Sequence, residues 1–181
     1  MSALRYGIVV VPKLDNQEQL LALREKYDPL FYQVRPHIPL LEPFTPATLG
    51  ELENVGAFIS QVRRRIAPVA VDFHRYVEAG DRLVCPVDRG RDELVELHRT
   101  LHGCEVLSLL NSGFEPQLVV ARIPDPTRRA EARQEAGKLG RSLGLVDALV
   151  LVVIEAGGDL RMLASYPFGI GRVDYYDDTL G

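Results

Sequence analysis

The sequence predicts an α+β fold with two pseudo-symmetric lobes of antiparallel sheet, helices packed outside them and a central cleft. Two pairs of strand-like segments are joined by short turns, which is typical of antiparallel hairpins rather than of a parallel sheet. The order strand, helix, strand, helix, hairpin, helix, strand, helix, hairpin runs through a similar unit twice. No glycine-rich phosphate loop occurs in the sequence. We therefore expect one bilobal domain over residues 1–168, followed by an acidic, loosely held tail at 169–181.

Length and composition favour one folded body. A chain of 181 residues is too short for two ordinary independent domains. Its 46% hydrophobic and 25% charged residues are ordinary globular values, which excludes disordered, collagen-like and coiled-coil proteins. The formal net charge of −4 argues against binding to bulk DNA or RNA, because a basic surface supplies most of that affinity. A local basic groove remains compatible with this charge.

The two cysteines and the apolar segments indicate a cytoplasmic protein. Cys85 and Cys104 are too few for a disulfide framework or a cysteine-based zinc site. The longest apolar stretch, Leu145–Ile154, has about half of the ~20 residues that a membrane-spanning helix needs. The N-terminal residues lack the apolar core and cleavage site of a signal peptide. We expect no membrane association, metal or cofactor.

The first lobe begins with a strand and a helix. Tyr6–Val11 is apolar and β-branched and ends at Pro12, as a buried strand does. Asp15 and Glu18 have the spacing of a capping box, which predicts that a helix begins here. Apolar residues then follow at helical spacing: Leu20, Leu23, Tyr27 and Leu30.

An irregular strand and a second helix come next. Val34–Leu41 reads as a strand, and its prolines Pro36 and Pro39 favour an edge or a bulge because proline cannot donate a ladder hydrogen bond. Thr45-Pro46 predicts the start of a helix. Its predicted apolar stripe consists of Leu49, Leu52, Val55, Ile59, Val62 and Ile66.

The rest of the chain is expected to contain two hairpins, one further strand and two helices. Asp88 and Asp125-Pro126 are the predicted caps of the third and fourth helices. The predicted strands are Val69–Tyr76 with Leu83–Val87 as the first hairpin, Phe114–Ile123 alone, and Leu145–Ile154 with Leu160–Tyr166 as the second hairpin.

Two segments carry a family resemblance. Lys26-Tyr27-Asp28-Pro29 followed by Arg35-Pro36-His37-Ile38-Pro39-Leu40-Leu41-Glu42-Pro43-Phe44 resembles the first signature of the 2H phosphoesterase superfamily. That superfamily includes 2'-5' RNA ligase-like proteins and cyclic phosphodiesterases. Phe114–Arg122 stands in the place of the second signature. The resemblance covers nearly the whole chain and implies the same bilobal α+β fold.

The resemblance also implies a chemistry that needs two His-x-Thr/Ser motifs. Residues two apart in a strand point to the same face, so each motif sends an imidazole and a hydroxyl into the cleft. One imidazole accepts a proton from the attacking group and the other donates one to the leaving oxygen. The hydroxyls hold the phosphate oxygens as charge develops.

This sequence departs from that pattern at three of the four positions. His37 is retained, but Pro39, Gln117 and Val119 replace the first hydroxyl residue, the second histidine and the second hydroxyl residue. A glutamine amide can donate hydrogen bonds but cannot exchange a proton near neutral pH. Because losing one acid or base costs roughly 10²- to 10⁴-fold in rate, we expect a catalytically impaired protein. Its expected ligand is a nucleotide, another phosphorylated small molecule or an RNA end.

Three residues are the candidate ligand-binding group: His37, Gln117 and Arg35. Arg35 shares the strand phase of His37 and could hold a phosphate by a bidentate contact. Gln117 could bind a phosphate or a base edge, or it could be a drifted residue in a wet cavity. Arg122 would point away from the cleft if its strand were regular.

The sequence leaves two alternative functions open. In the first, His37 is catalytic and His74, the substrate or water supplies the other proton transfer, and the protein is an active, metal-independent cyclic phosphodiesterase or phosphoesterase. His74 could equally be an edge-strand histidine, and His98 and His102 are expected at the surface. In the second, the protein is an interaction module whose cleft is filled by side chains or by the tail, Asp174–Gly181.

Overall fold

Helices and antiparallel strands alternate along the computed structural model, which describes residues 4–108, 110 and 113–176. The helices are α1 Gln17–Tyr27, α2 Leu49–Val62, α3 Arg91–Leu101, α4 Glu105–Ser108 and α5 Pro126–Ala136, with 3-10 turns at Arg63–Arg65 and Gly137–Leu139. The strands are β1 Arg5–Val10, β2 Lys13–Leu14, β3 Ile38–Pro39, β4 Val69–Phe73, β5 Val77–Ala79, β6 Arg82–Pro86, β7 Gln117–Arg122, β8 Ser142–Val146, β9 Ala148–Ile154, β10 Leu160–Pro167 and β11 Asp174–Tyr175. The predicted α+β class is confirmed.

The described strands form three antiparallel sheets. The first has the order β11-β10-β9-β1-β3, the second β2-β8-β4 and the third β5-β6-β7. The predicted hairpin of Leu145–Ile154 with Leu160–Tyr166 forms as β9–β10 and lies with β1 at the centre of the first sheet. Its first strand begins only at Ala148, because the residues before Asp147 belong to β8 of the second sheet. The first and third sheets come together where His37, just before β3, pairs with Val119 of β7. This junction places the two signature segments side by side.

The other predicted hairpin was wrong in its first strand. Val69–Tyr76 was expected to pair with Leu83–Val87, but β4 ends at Phe73 and pairs with β8 in the second sheet. The partner of β6 across the Gly80 turn is β5 instead. Local turn chemistry located the reversal of the chain correctly, but the pairing of β4 depends on a strand about 70 residues further on, with Val69 opposite Val146.

Helix boundaries follow the capping residues, which differ in part from those expected. Asp125 caps α5 as predicted, since its side chain accepts from the backbone N–H groups of residues 127 and 128. Asp15 does not cap α1, because its carboxylate accepts from the backbone N–H of Leu143 in β8. Thr48, not Thr45, caps α2, and Gly90, not Asp88, precedes α3 in a left-handed conformation with φ 85°. In the case of α1, a backbone group from a distant strand competed for the expected capping residue.

Most of the described core is one large cluster to which sheets and helices both contribute, and Val9, Val150 and Val152 form a second, smaller cluster. Leu52, Val55 and Ile59 of α2 are buried as the apolar stripe predicts, whereas Leu49 is exposed at the start of the helix. Helices α1 and α5 pack against each other and against the third sheet. These helices therefore cover the lobe that carries the second signature.

Part of the predicted loose tail is held against the sheet. Residues Asp174 and Tyr175 form β11 opposite Ser165 and Ala164 of β10. The buried Arg63 donates from Nη1 to the backbone carbonyls of residues 167 and 171, at 2.8 and 2.6 Å. The part of the expected tail at residues 177–181 lies outside the described residues. Within the described ranges, no helix combines the length and the apolarity needed to cross a membrane.

Candidate functional site

The two signature segments meet as one short antiparallel pair. His37 N–H donates to the Val119 carbonyl at 3.3 Å, and Val119 N–H donates to the His37 carbonyl at 2.8 Å. In this register the next hydrogen-bonded pair would be Pro39 with Gln117, but proline has no N–H to donate. The pairing therefore stops after one step. The four positions of the family's two motifs nevertheless lie next to one another.

A cavity of about 500 Å³ opens beside this pair, and five arginines are among its lining residues. Its described lining includes His37, Pro39 and Val119, together with the carboxylates Asp28 and Glu155. Asp28 is paired with Arg24 at 2.7 Å and Glu155 with Arg161 at 3.3 Å, so both negative charges are already engaged. The arginines of the lining are Arg5, Arg24, Arg35, Arg82 and Arg122. Arg24 and Arg122 are themselves paired, with Asp28 and Asp81, but five arginines against two carboxylates still leave the lining with an excess of positive charge although the chain as a whole is acidic.

A β-bulge explains why Arg122 faces the cavity. Leu83 pairs with Ala121 and Val84 with Val119, so β7 contains one extra residue, Val120, at this point. An extra residue shifts the side-chain alternation and re-aims the residues beyond it. The expectation that Arg122 points away, which assumed a regular strand, is wrong for this reason. Arg122 lines the cavity and its Nε donates to Asp81 Oδ2 at 2.6 Å.

The ring of His37 is held in one tautomer. Its Nδ1 lies 2.8 Å from the Arg35 carbonyl oxygen, which can only accept, so Nδ1 carries the hydrogen and Nε2 is the acceptor. Burial lowers the pKa of His37 from 6.5 to about 4; the Arg35 carbonyl opposes this, while the charges of Arg82 and Arg24 lower the pKa further. At neutral pH His37 is therefore a neutral hydrogen-bond acceptor. It does not have the proton that a general acid would donate.

The other predicted ligand-binding residues lie at the edges of this cavity. The exposed Arg35 is part of its wall. Gln117 lines an adjoining cavity that shares Pro39, Arg82 and Val119 with the first. The structure thus brings His37 and Arg35 into one lining and places Gln117 beside it.

His74 is not brought to the cavity. It lies just after β4, where its Nδ1 is 2.9 Å from Asp88 Oδ2, and more than half of its side chain is exposed. Nearby Asp72 accepts from Arg141 and from the backbone N–H of Arg89, and these bonds hold the pKa of that carboxyl below its usual value of 3.8. In the described ranges, Asp72, His74 and Asp88 are the one group with the donor types of a metal site. The positive Arg141 on Asp72 makes this group unfavourable for a cation.

Two further expectations have structural outcomes. His98 was expected at the surface, but it is buried, stacked on Phe114 with ring centroids 4.4 Å apart, and its Nδ1 lies 2.6 Å from the Leu40 carbonyl oxygen. It therefore supports the backbone just after β3. Asp174 and Tyr176 from the tail line a separate groove beside β10 rather than the arginine-lined cavity.

Sequence reasoning missed three of the arginines, Arg5, Arg24 and Arg82. Arg24 and Asp28 are four apart on α1, and this spacing predicts their ion pair but not the cavity next to it. Arg5 and Arg82 belong to strands of two different sheets. Nothing in the linear order of these residues brings them together, so the positive charge of the site could not be anticipated.

Comparison with known proteins places the chain in a family. Residues 12–158 match the 2'-5' RNA ligase superfamily. A Bacillus licheniformis protein, named as a phosphoesterase by inference, is 22% identical over 121 residues, which are 66% of this chain and 71% of that protein. A similarly named Geobacillus thermodenitrificans protein is 25% identical over 122 residues, 66% of this chain and 69% of the other.

Solved structures show the same fold at low sequence identity. Escherichia coli LigT, solved with 3'-AMP, has a TM-score of 0.61 and 14% identity, covering 93% of this chain and 99% of LigT. Kluyveromyces marxianus Usb1 has a TM-score of 0.54 and 14% identity, covering 91% of this chain and 98% of Usb1. The resemblance to the 2H phosphoesterases is thereby confirmed. With its two signature segments paired at His37 and Val119, this chain belongs to the 2'-5' RNA ligase superfamily.

Proposed function

We propose that this protein binds a phosphorylated ligand, either a nucleotide or an RNA end, in the arginine-lined cavity, and that it does not perform two-histidine catalysis. The observation that carries the proposal is the lining itself. Five arginines line the same cavity as His37, and the two carboxylates of that lining are engaged in ion pairs. Guanidinium groups are suited to phosphate because they present paired N–H donors and a permanent positive charge.

Ligands of structural neighbours support the phosphate chemistry. LigT has been solved with 3'-AMP, ATP, phosphate and NADP+, and Usb1 with uridine monophosphate. All of these ligands carry phosphate groups. A cavity in the same fold whose wall has excess positive charge fits a ligand of this class, although the chain has a formal net charge of −4.

The groups around His37 support impaired catalysis. The neutral imidazole can accept a proton through Nε2, but a second group must protonate the leaving oxygen. Gln117 cannot do this, and arginines keep their protons at neutral pH. Among the described lining residues, none has a hydroxyl that could replace the family's Thr or Ser. Efficient acid and base transfer at one phosphate therefore lacks a partner for His37.

Binding is tested by calorimetric titration with 3'-AMP at low ionic strength. We expect saturable binding to the native protein and about tenfold weaker binding to Arg82→Gln, because a hydrogen bond to a charged group is worth about 1.5–3 kcal/mol. Arg99→Gln is the matched control, since Arg99 is an exposed α3 arginine that pairs with Glu96 at 3.2 Å and lies outside the cavity wall. Equal affinity of the two variants would contradict the proposed location of the site.

Catalysis is tested by hydrolysis of nucleoside 2',3'-cyclic phosphates without added metal, using the native protein and His37→Ala prepared identically. We expect no turnover above background from either protein. Turnover that His37→Ala abolishes would overturn the impairment and establish the alternative, a metal-independent cyclic phosphodiesterase with an unconventional acid. The acceptor Nε2 of His37 is the observation that favours this alternative.

A further inference from the structure

We infer that Arg24 forms a buried phosphate subsite of the cavity, and that the ligand therefore ends in a phosphate monoester rather than carrying an internal phosphodiester. This inference rests on the proposed function and goes beyond it by naming the class of phosphate. The geometry that carries it is one guanidinium nitrogen, Arg24 Nη1, which is buried without a hydrogen-bond partner among the described groups.

The rest of the Arg24 side chain is rigidly held. Only 1% of the side chain is exposed. Its Nε and Nη2 donate to Asp28 Oδ2 at 3.1 and 2.7 Å, and Nη2 also donates to the Val34 carbonyl oxygen. Asp28 is itself fixed, because its Oδ1 accepts from the backbone N–H of Leu30 at 2.9 Å. Three hydrogen bonds and the Phe31 ring, whose centroid is 5.7 Å from Arg24 Cζ, thus orient the guanidinium, and its third nitrogen has no hydrogen-bond partner among the described groups.

The position of Arg24 connects that nitrogen with the ligand cavity. Arg24, Asp28, Val34 and His37 all belong to the same lining. The Arg24 charge also acts on the His37 ring, where it contributes to the lowered pKa. An unpaired N–H of a buried charged group is unfavourable, so an anion that reaches it gains a strong hydrogen bond that no protein group provides. Arg24 is therefore ready to bind an oxygen anion beside His37.

Burial and charge both favour a terminal phosphate. A side chain that is 1% exposed allows at most a narrow approach, which suits the end of a ligand better than an internal diester with a substituent on both sides of its phosphorus. A monoester is close to a dianion at neutral pH because its second pKa is about 6. A diester carries a single charge. Arg5 and Arg35 belong to the same wall, together with Arg82, whose Nε lies 3.9 Å from Asp81 Oδ1, and their positive charges favour a dianion over a monoanion.

The test compares 3'-AMP with adenosine 3'-(methyl phosphate), which differ by one methyl ester and one charge. Affinities of both compounds are measured by calorimetry at about pH 7.5, where the monoester is mostly dianionic. The native protein should prefer 3'-AMP by about tenfold or more. The double variant Arg24→Met with Asp28→Asn removes the buried pair without leaving a single buried charge. It should reduce the preference to about threefold or less while retaining affinity for the methyl ester.

The control removes an ion pair from the same helix but not from the cavity. Lys26 pairs with Glu135 at 2.7 Å on the exposed side of α1, so Lys26→Met with Glu135→Gln should keep the native preference. Arg24→Lys keeps a positive charge next to Asp28 but lacks the third nitrogen. It provides the decisive comparison if the double variant does not fold, and it too should lose most of the preference.

The outcomes distinguish this inference from the proposed function. If neither compound binds the native protein, the proposed function itself fails. If both bind and the preference is unchanged in the Arg24 variants, the subsite is refuted, and water rather than phosphate satisfies Nη1. If the preference for 3'-AMP over its methyl ester is lost in the Arg24 variants but not in the Lys26/Glu135 control, Arg24 binds a terminal phosphate.

Discussion

Acidification tests whether His37 is buried in its neutral form. In the unfolded chain its imidazole takes up a proton below about pH 6.5, whereas burial lowers the pKa in the folded protein to about 4. Between these two values the unfolded state binds more protons than the folded state. The contribution of His37 to the free energy of unfolding is therefore complete above pH 6.5 and is lost as the pH falls towards 4.

The magnitude follows from the gap between the two values. Each pH unit of that gap corresponds to about 1.4 kcal/mol, so His37 alone should destabilise the fold by about 3 kcal/mol between neutral pH and pH 4. Because only 9% of His37 is exposed, solvent does little to screen this effect on the free energy of unfolding. This loss is a large fraction of the 5–15 kcal/mol that typically stabilises a folded domain.

The assay is urea denaturation across this pH range, with His37→Gln as the reference protein. Glutamine can still donate to the Arg35 carbonyl but does not titrate, so the carboxylates and the other histidines contribute equally to both proteins. Native protein should lose about 3 kcal/mol more than His37→Gln on acidification. A proton NMR titration of the His37 ring should show a midpoint near pH 4.

The opposite outcome would show that His37 is not buried in its neutral form. A His37 midpoint near 6.5, together with parallel stability curves for the two proteins, would mean that the imidazole is solvated and can also donate a proton. The proposed impairment of catalysis would then no longer be supported by a neutral His37 at neutral pH. Bound 3'-AMP should raise the His37 midpoint, because a neighbouring phosphate favours the imidazolium form.

Three further predictions concern the fold and the residues at the second motif, Gln117 and Val119. Gly90→Ala should lower the free energy of unfolding by about 2 kcal/mol or more in urea denaturation, because φ is +85° and an added Cβ would lie 2.6 Å from a backbone carbonyl oxygen. Gly137→Ala is the control and should be neutral or stabilising, because an added Cβ there meets nothing within 4 Å. Equal losses of stability in the two variants would contradict this prediction. Asp125→Ala should cost about 1 kcal/mol in the same assay through loss of the α5 cap, and an unchanged midpoint would show that the cap is dispensable. Gln117→His combined with Val119→Thr should produce measurable hydrolysis of 2',3'-cyclic nucleotides, and continued inactivity would mean that the cleft lacks more than motif residues.

Local features of the sequence predicted most of the fold because their causes are local. The glycine-containing turn before β10 predicted a hairpin, and Asp125 predicted the start of α5, since each depends on a few neighbouring residues. His37 was identified from the residues around it, and it lies in the cavity wall. The role of His37 as a site residue stays a prediction.

The failures have non-local causes. The Asp15 carboxylate accepts a hydrogen bond from β8 instead of capping α1. Strand β4 also pairs with β8, more than 65 residues further along the chain. The bulge at Val120 could not be read from an apolar segment that looks regular, yet it turns Arg122 into the cavity. Competition between distant partners decided each case.

Residue identity and short-range periodicity were sufficient to predict the α+β class, to locate the two signature segments and to identify Pro39, Gln117 and Val119 at three of the four motif positions. The electrostatic character of the candidate site depends on the tertiary structure. Arg5, Arg24 and Arg82 come from a strand, a helix and another strand, and folding alone brings them around His37. Burial then sets the pKa of that histidine and leaves one nitrogen of Arg24 without a partner among the described groups. Electrostatic interactions depend on distance and solvent exposure, and neither quantity exists until the chain has folded.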